Sequence, residues 1–128
     1  TFSTGNIFFI EFAYKNVYIQ HIHESKGIML INFEKIEGFQ WDRGNIEKNP
    51  NKHGVTNIES EQIFFNEPLI ITSDIIHSTY KEKRYYALGK TDNEKYLTVV
   101  FTLRENLIRI ISARIMSKKE KEIYNEKT

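Results

Sequence analysis

The sequence predicts an α+β domain in which N-terminal helices precede a four-stranded antiparallel sheet and a C-terminal helix follows it. Three observations carry that expectation. Residues 95–103 alternate, with Leu97, Val99, Phe101 and Leu103 on one side and Tyr96, Thr98, Val100 and Thr102 on the other, which is the two-residue period of a strand. The flanking connections, Thr91-Asp92-Asn93-Glu94 and Arg104-Glu105-Asn106, carry turn-forming residues and are too short for anything but antiparallel neighbours. The charged segment at 117–127 opens on Ser117 with Glu120 three residues later, the pairing that satisfies the free N–H groups of a helix start.

Taken in order, residues 7–22 (IFFIEFAYKNVYIQHI) form an aromatic-rich run interrupted by Glu11, Lys15 and Asn16. The run has neither the basic lead nor the small-residue cleavage site of a secretory signal, so it reads as an extra strand or amphipathic segment. Lys26-Gly27 can only be encoded as AAR-GGN, which is like a ribosome-binding sequence just ahead of Met29. Residues 1–28 are therefore expected to be a translated leader or extension, and 29–128 the folded domain. His21 and His23 share one strand face at a spacing that suits a metal pair, but no third ligand is evident nearby and no metal site is expected.

An apolar lead at 30–41 ends in Phe39 and Trp41. Asp42 is a good cap for a helix over 43–53, which Gly44 weakens and Pro50 breaks or kinks. Lys52 and His53 before Gly54 read as a helix C-terminus. A second helix over 57–65, capped by Thr56 or Asn57, stops at Pro68. Four strands follow, at Leu69–Thr72, Arg84–Lys90, Lys95–Leu103 and Leu107–Ala113, and then the last helix.

Composition narrows the function. The chain has 128 residues, and 18 basic against 17 acidic side chains give a net charge of +1, so a polyanion partner must be held by a local patch. The absence of cysteine excludes disulfides, thiolate catalysis and cysteine zinc sites, and it fits a reducing cytoplasm. No apolar run approaches the roughly 18 residues needed to span a bilayer, and no membrane role is expected. Nucleotide-binding glycine loops, a Gly-x-Ser-x-Gly elbow and a His-Glu-x-x-His helix are all missing, and the scattered acids do not point to a carboxylate-metal nuclease.

A basic patch does stand out. Arg104, Arg109, Arg114, Lys118, Lys119 and Lys121 face only Glu105 and Glu120 between positions 104 and 121. The chain has 13 lysines and 5 arginines, yet the scarcer arginines interrupt the apolar strands, where a planar guanidinium suits phosphate recognition. Ion pairs within the fold remain the alternative. His53 is either a cation at a helix end or a proton carrier, and His77, in a polar loop, is equally open. Trp41 is expected in the core, while Tyr124 on the last helix is open between packing and base stacking.

These residues form a series. FQWD at 39–42, NPNKHGV at 49–55 and IFFNEP at 63–68 are followed by His77 and Arg84, then YLTVVFTLR at 96–104, IRIISAR at 108–114 and KKEKEIY at 118–124. The series resembles the BrnT family of type II toxins over about residues 39–126. The resemblance implies a RelE/ParE-like fold and a metal-independent endoribonuclease, with no cofactor, that arrests translation and growth. It also implies a BrnA-like antitoxin with a ribbon-helix-helix region, joined to the toxin in a heterotetramer that alone contacts operator DNA. Carried over onto this sequence, it implies Lys52, His53, Arg84 and Arg114 as catalytic residues. Arg104, Arg109, Lys118, Lys119 and Tyr124 are expected to contact RNA. Two rivals share the fold: a gyrase-type inhibitor, and an inactive module that only binds its antitoxin.

Overall fold

The computed structural model describes residues 17–20, 35–46, 54–74 and 76–126. Its centre is the expected antiparallel meander: β3 (Leu69–Asp74), β4 (Arg84–Lys90), β5 (Tyr96–Arg104) and β6 (Leu107–Ile115). The β5–β6 turn closes on Glu105 and Asn106, both with positive φ (52° and 68°), the backbone of a tight hairpin whose twist matches its strands.

The sheet is larger than the sequence predicts. β1 (Val17–Gln20) and β2 (Gly38–Phe39) add parallel edge strands, giving six among the described residues in the order β1-β3-β4-β5-β6-β2. Val17 pairs with Leu69, and Phe39 with Ile108. Parallel partners so distant in sequence leave no turn signature, and a two-residue strand has no measurable period. β1 falls inside the segment expected as a leader; the rest of that segment, with His21 and His23, lies outside the described residues.

The N-terminal helices also need correction. Among the described residues one short α-helix precedes β3: α1 (Asn57–Gln62), continued as a 3-10 turn over Ile63–Phe65. Thr56 caps it, its hydroxyl accepting from the Glu59 N–H while the Glu59 carboxylate accepts from the Thr56 N–H. The helix expected over 43–53 is, in its described part, a turn. The Asp42 carbonyl accepts from the N–H groups of Asn45 and Ile46, and the Asp42 carboxylate accepts from the Gly44 N–H. The remainder of that segment, Lys52 and His53 included, lies outside the described residues. Gly54 has φ +69°, the left-handed backbone expected just beyond a helix end.

One face of the sheet is the main core. Ile71, Ala87, Val99 and Ala113 lie in register across four strands and pack with Phe101, Ile108 and Ile110 against Phe39, Trp41, Val55, Ile63 and Phe64. Among the described residues, the other face is covered at one end by α2 (Lys118–Asn125). There Tyr124 packs with Ile70, Leu88 and Met116. Ser117 and Glu120 form the expected cap.

Candidate functional site

Among the described residues, the half of the second face beyond α2 carries the arginines. Directly opposed residues of antiparallel strands point to the same side of a sheet, with Cβ atoms about 5 Å apart. Asp74 opposes Arg84, Arg84 opposes Thr102, and Thr102 opposes Arg109, so these four side chains form one row across β3–β6.

A bulge decides where the β6 arginines point. Arg109 and Arg114 are five residues apart and would face opposite sides of an unbroken strand. The register slips between Val100 and Phe101, which oppose Ser112 and Ile110, leaving Ile111 as the extra residue. Ile108, Ile110 and Ala113 therefore reach the core while Arg109, Ser112 and Arg114 share the other face.

Around the row lies a cleft of about 180 Å³ lined by Arg84, Arg104, Arg109, Thr102, Glu82 and the Gly44-Asn45 turn. Arg109 is the best held of its cations. Its Nη1 donates to Asp42 Oδ2 at 2.8 Å and to Gln40 Oε1 at 3.3 Å, and its side chain is 12% exposed. The Arg109 hydrogen bond, with that of the Gly44 N–H, lowers the pKa of the Asp42 carboxyl. Arg104 reaches Glu82 at 3.2 Å, and Arg84 lies 3.8 Å from the same carboxylate. Three guanidinium groups thus meet the carboxylates of Asp42 and Glu82, with the Asp74 carboxylate opposite Arg84 in the same row. Planar donors with spare N–H groups at a half-open surface suit a phosphate group.

Gly44 has a steric reason to be glycine. A Cβ there would lie 2.5 Å from Arg109 Nη2, so the bare backbone is what lets the guanidinium settle beside Asp42.

Other expected site residues fall elsewhere. Arg114 is engaged by Glu120 through two 2.8 Å contacts, Nη1–Oε1 and Nη2–Oε2. The Thr98 hydroxyl and Ser117 N–H also donate to Glu120 Oε1, and these bonds, the Arg114 pair foremost, hold that carboxyl at about 2. Arg114 therefore straps α2 to the sheet rather than presenting a free cation. Tyr124 is fully buried and its hydroxyl donates to the Pro68 carbonyl at 2.6 Å, which removes it as a base-stacking surface. Burial is also why its pKa is raised. Lys118 and Lys119 are exposed on α2. Trp41 is in the core as expected, and its indole N–H donates to Glu61 at 2.6 Å. Desolvation raises that buried carboxyl to about 7.

His77 is better placed than the sequence conveys. Its Nδ1 lies 2.9 Å from Asp74 Oδ2, its backbone N–H donates to Asp74 Oδ1, and its ring is 60% exposed over a carboxylate that is 5% exposed. An aspartate three residues before a histidine in a strand-ending turn is the signal that would have found it. No group of three or more His, Cys, Asp or Glu side chains among the described residues is arranged to hold a metal ion.

A mixed sheet with an arginine-lined cleft on one face and a C-terminal helix packed on the same face defines an α+β domain. The family model for the ribonuclease toxin BrnT of type II toxin-antitoxin systems matches residues 41–120. The chain belongs to that family of ribonuclease toxins, which brings with it RNA as substrate and an antitoxin as partner. A comparison with curated proteins finds no match. The matched stretch runs from Trp41 to Glu120 and contains the whole cleft. No helix among the described residues is long and apolar enough to cross a membrane.

Proposed function

We propose that the protein is a metal-independent endoribonuclease whose phosphate site is the cleft formed by Arg84, Arg104 and Arg109. The observation that carries this reading is the cross-strand row Arg84–Thr102–Arg109, which with Arg104 lines one cleft. In the reaction the RNA 2′-hydroxyl attacks the adjacent phosphorus and the bond to the 5′-oxygen breaks. A base takes the proton from the 2′-oxygen, and an acid gives one to the leaving 5′-oxygen. The products are a 2′,3′-cyclic phosphate and a 5′-hydroxyl. Charge gathers on the phosphate oxygens in the transition state, where fixed guanidinium donors act most strongly. Arg84 and Arg104, the more exposed pair, stabilise that charge, and Arg109 positions the phosphate.

His53 is proposed as one proton carrier, with Lys52 beside it binding phosphate. Lys118 and Lys119 extend the basic surface for the RNA strand. Arg114 acts by holding α2. The antitoxin is proposed to be a BrnA-like ribbon-helix-helix protein that joins the toxin in a heterotetramer, reaches operator DNA in the toxin's stead, and shares its cytoplasmic location. The domain proper is proposed to be residues 29–128, to whose sheet the preceding segment adds β1 as an edge strand.

The test is cleavage of naked RNA in EDTA by parent protein, Arg84→Ala and His53→Ala. The reading predicts cleavage by the parent and at least a hundredfold loss in each variant at unchanged thermal stability. Full cleavage by both variants contradicts the site. A parent that spares RNA but blocks DNA supercoiling transfers the fold to the gyrase-inhibitor reading.

A further inference from the structure

The mechanism above needs two proton carriers, and only one has been assigned. We propose that His77, held by Asp74, is the second. The inference rests on the ribonuclease reading and adds a residue to its site. Asp74 ends β3 directly opposite Arg84, so its side chain belongs to the same row as the arginine cleft. Tyr86, two residues along β4 from Arg84 and so on the same face, has its pKa raised by burial first and then by the nearby Asp74 charge. The imidazole that meets this carboxylate is therefore brought to the arginine side of the sheet.

The turn is also fixed in place. The Ser78 hydroxyl donates to the Asp74 carbonyl at 2.5 Å and accepts from the Arg84 N–H at 2.9 Å. His77 is thus clamped one residue from a staple between the end of β3 and the start of β4.

The chemistry follows from the hydrogen bond. A carboxylate only accepts, so Nδ1 carries the proton that points at Asp74, and Nε2 faces outward, free to take or give a proton. A buried carboxylate behind an exposed imidazole fixes its tautomer and orientation, and it stabilises the imidazolium that forms. The ring meets Asp74 on β3; the charged and titratable groups beside that carboxylate are Arg84, opposite it on β4, and Tyr86, with Glu82 of the connecting loop 3.8 Å from Arg84. Asp74 is a positioning residue, while His77 touches the reacting oxygen.

The experiment compares the pH dependence of RNA cleavage by parent, His77→Gln, Asp74→Asn and Arg84→Ala, with thermal unfolding of each. His77→Gln is expected to fold normally, to lower kcat by about 10²- to 10⁴-fold with KM little changed, and to lose one limb of the pH profile. Asp74→Asn, whose amide oxygen still accepts from the His77 N–H, is expected to lower kcat less and to move that limb. If His77→Gln keeps the parent's rate and both limbs while Arg84→Ala abolishes cleavage, this inference falls and the ribonuclease site stands. A raised KM with both limbs intact equally overturns it, leaving His77 as a binding residue. A parent that cleaves no RNA overturns both readings together.

Discussion

At the scale of single residues, Gly44 shows how a small side chain can set a functional one. Its missing Cβ leaves room for the Arg109 guanidinium, which then meets Asp42. The atom a new methyl would meet is the far end of a long side chain, so Gly44→Ala should displace Arg109 rather than unfold the protein. The stiffer unfolded chain of an alanine variant and the loss of a solvent-screened ion pair oppose one another, so unfolding midpoints should barely move. Affinity for an uncleavable RNA should fall about tenfold, the worth of one charge-assisted contact. Unchanged affinity would remove Arg109 from the phosphate site. From sequence, Gly44 reads as a weakened helix, because the reason for it sits 65 positions away, on β6. The strand arginines stood out by residue type, and ion pairing within the fold was the alternative reading; which carboxylate each would meet was not legible. Nothing in the sequence distinguishes Arg109, beside a cleft, from Arg114, strapped to Glu120.

Among the elements, two carboxylates hold the structure together with opposite dependence on pH. Glu61 on α1 is pushed from 4.5 to about 7 by burial beneath Trp41. The folded state holds its proton over a range where the unfolded chain releases it, so this group's contribution falls as pH rises from about 4.5 to 7. Glu61→Gln keeps the Trp41 bond and removes the titration. It should match the parent at pH 4 and exceed it at pH 8 by about 1–3 kcal/mol in denaturant unfolding. Glu120 runs the other way, because Arg114 and the α2 cap hold it at about 2. Its contribution is present above about 4.5 and is lost as pH falls toward 2. Glu120→Gln should cost about 1–2 kcal/mol at pH 7, discounted for the half-exposed pair, with the gap closing in acid. The Ser117 cap and the β3–β6 strands were legible because their signals are local: alternation, turns and capping residues. The β6 bulge was not, since Ile-Arg-Ile-Ile-Ser-Ala-Arg carries no glycine, proline or asparagine to mark the extra position. Only the need to keep Ile110 and Ala113 in one core places it there.

Across the whole molecule, near-neutral net charge hides a one-sided distribution, with three arginines gathered where α2 ends its cover of the sheet. Binding of single-stranded RNA should therefore depend on salt as a contact to about three phosphates would, with a log–log slope near −2. Arg84→Ala should flatten that slope by about 0.7, while Lys35→Ala, exposed and outside the cleft, should leave it unchanged. The central claim is that this arginine-lined face directs the RNA's own 2′-hydroxyl against the adjacent phosphate. The measurement that reaches it most directly uses an RNA oligomer cut at one known bond, and the same oligomer with a single 2′-deoxy sugar at that bond, in EDTA. The account predicts cleavage of the first to a 2′,3′-cyclic phosphate and no cleavage of the second at that bond. Equal cleavage of both would contradict it.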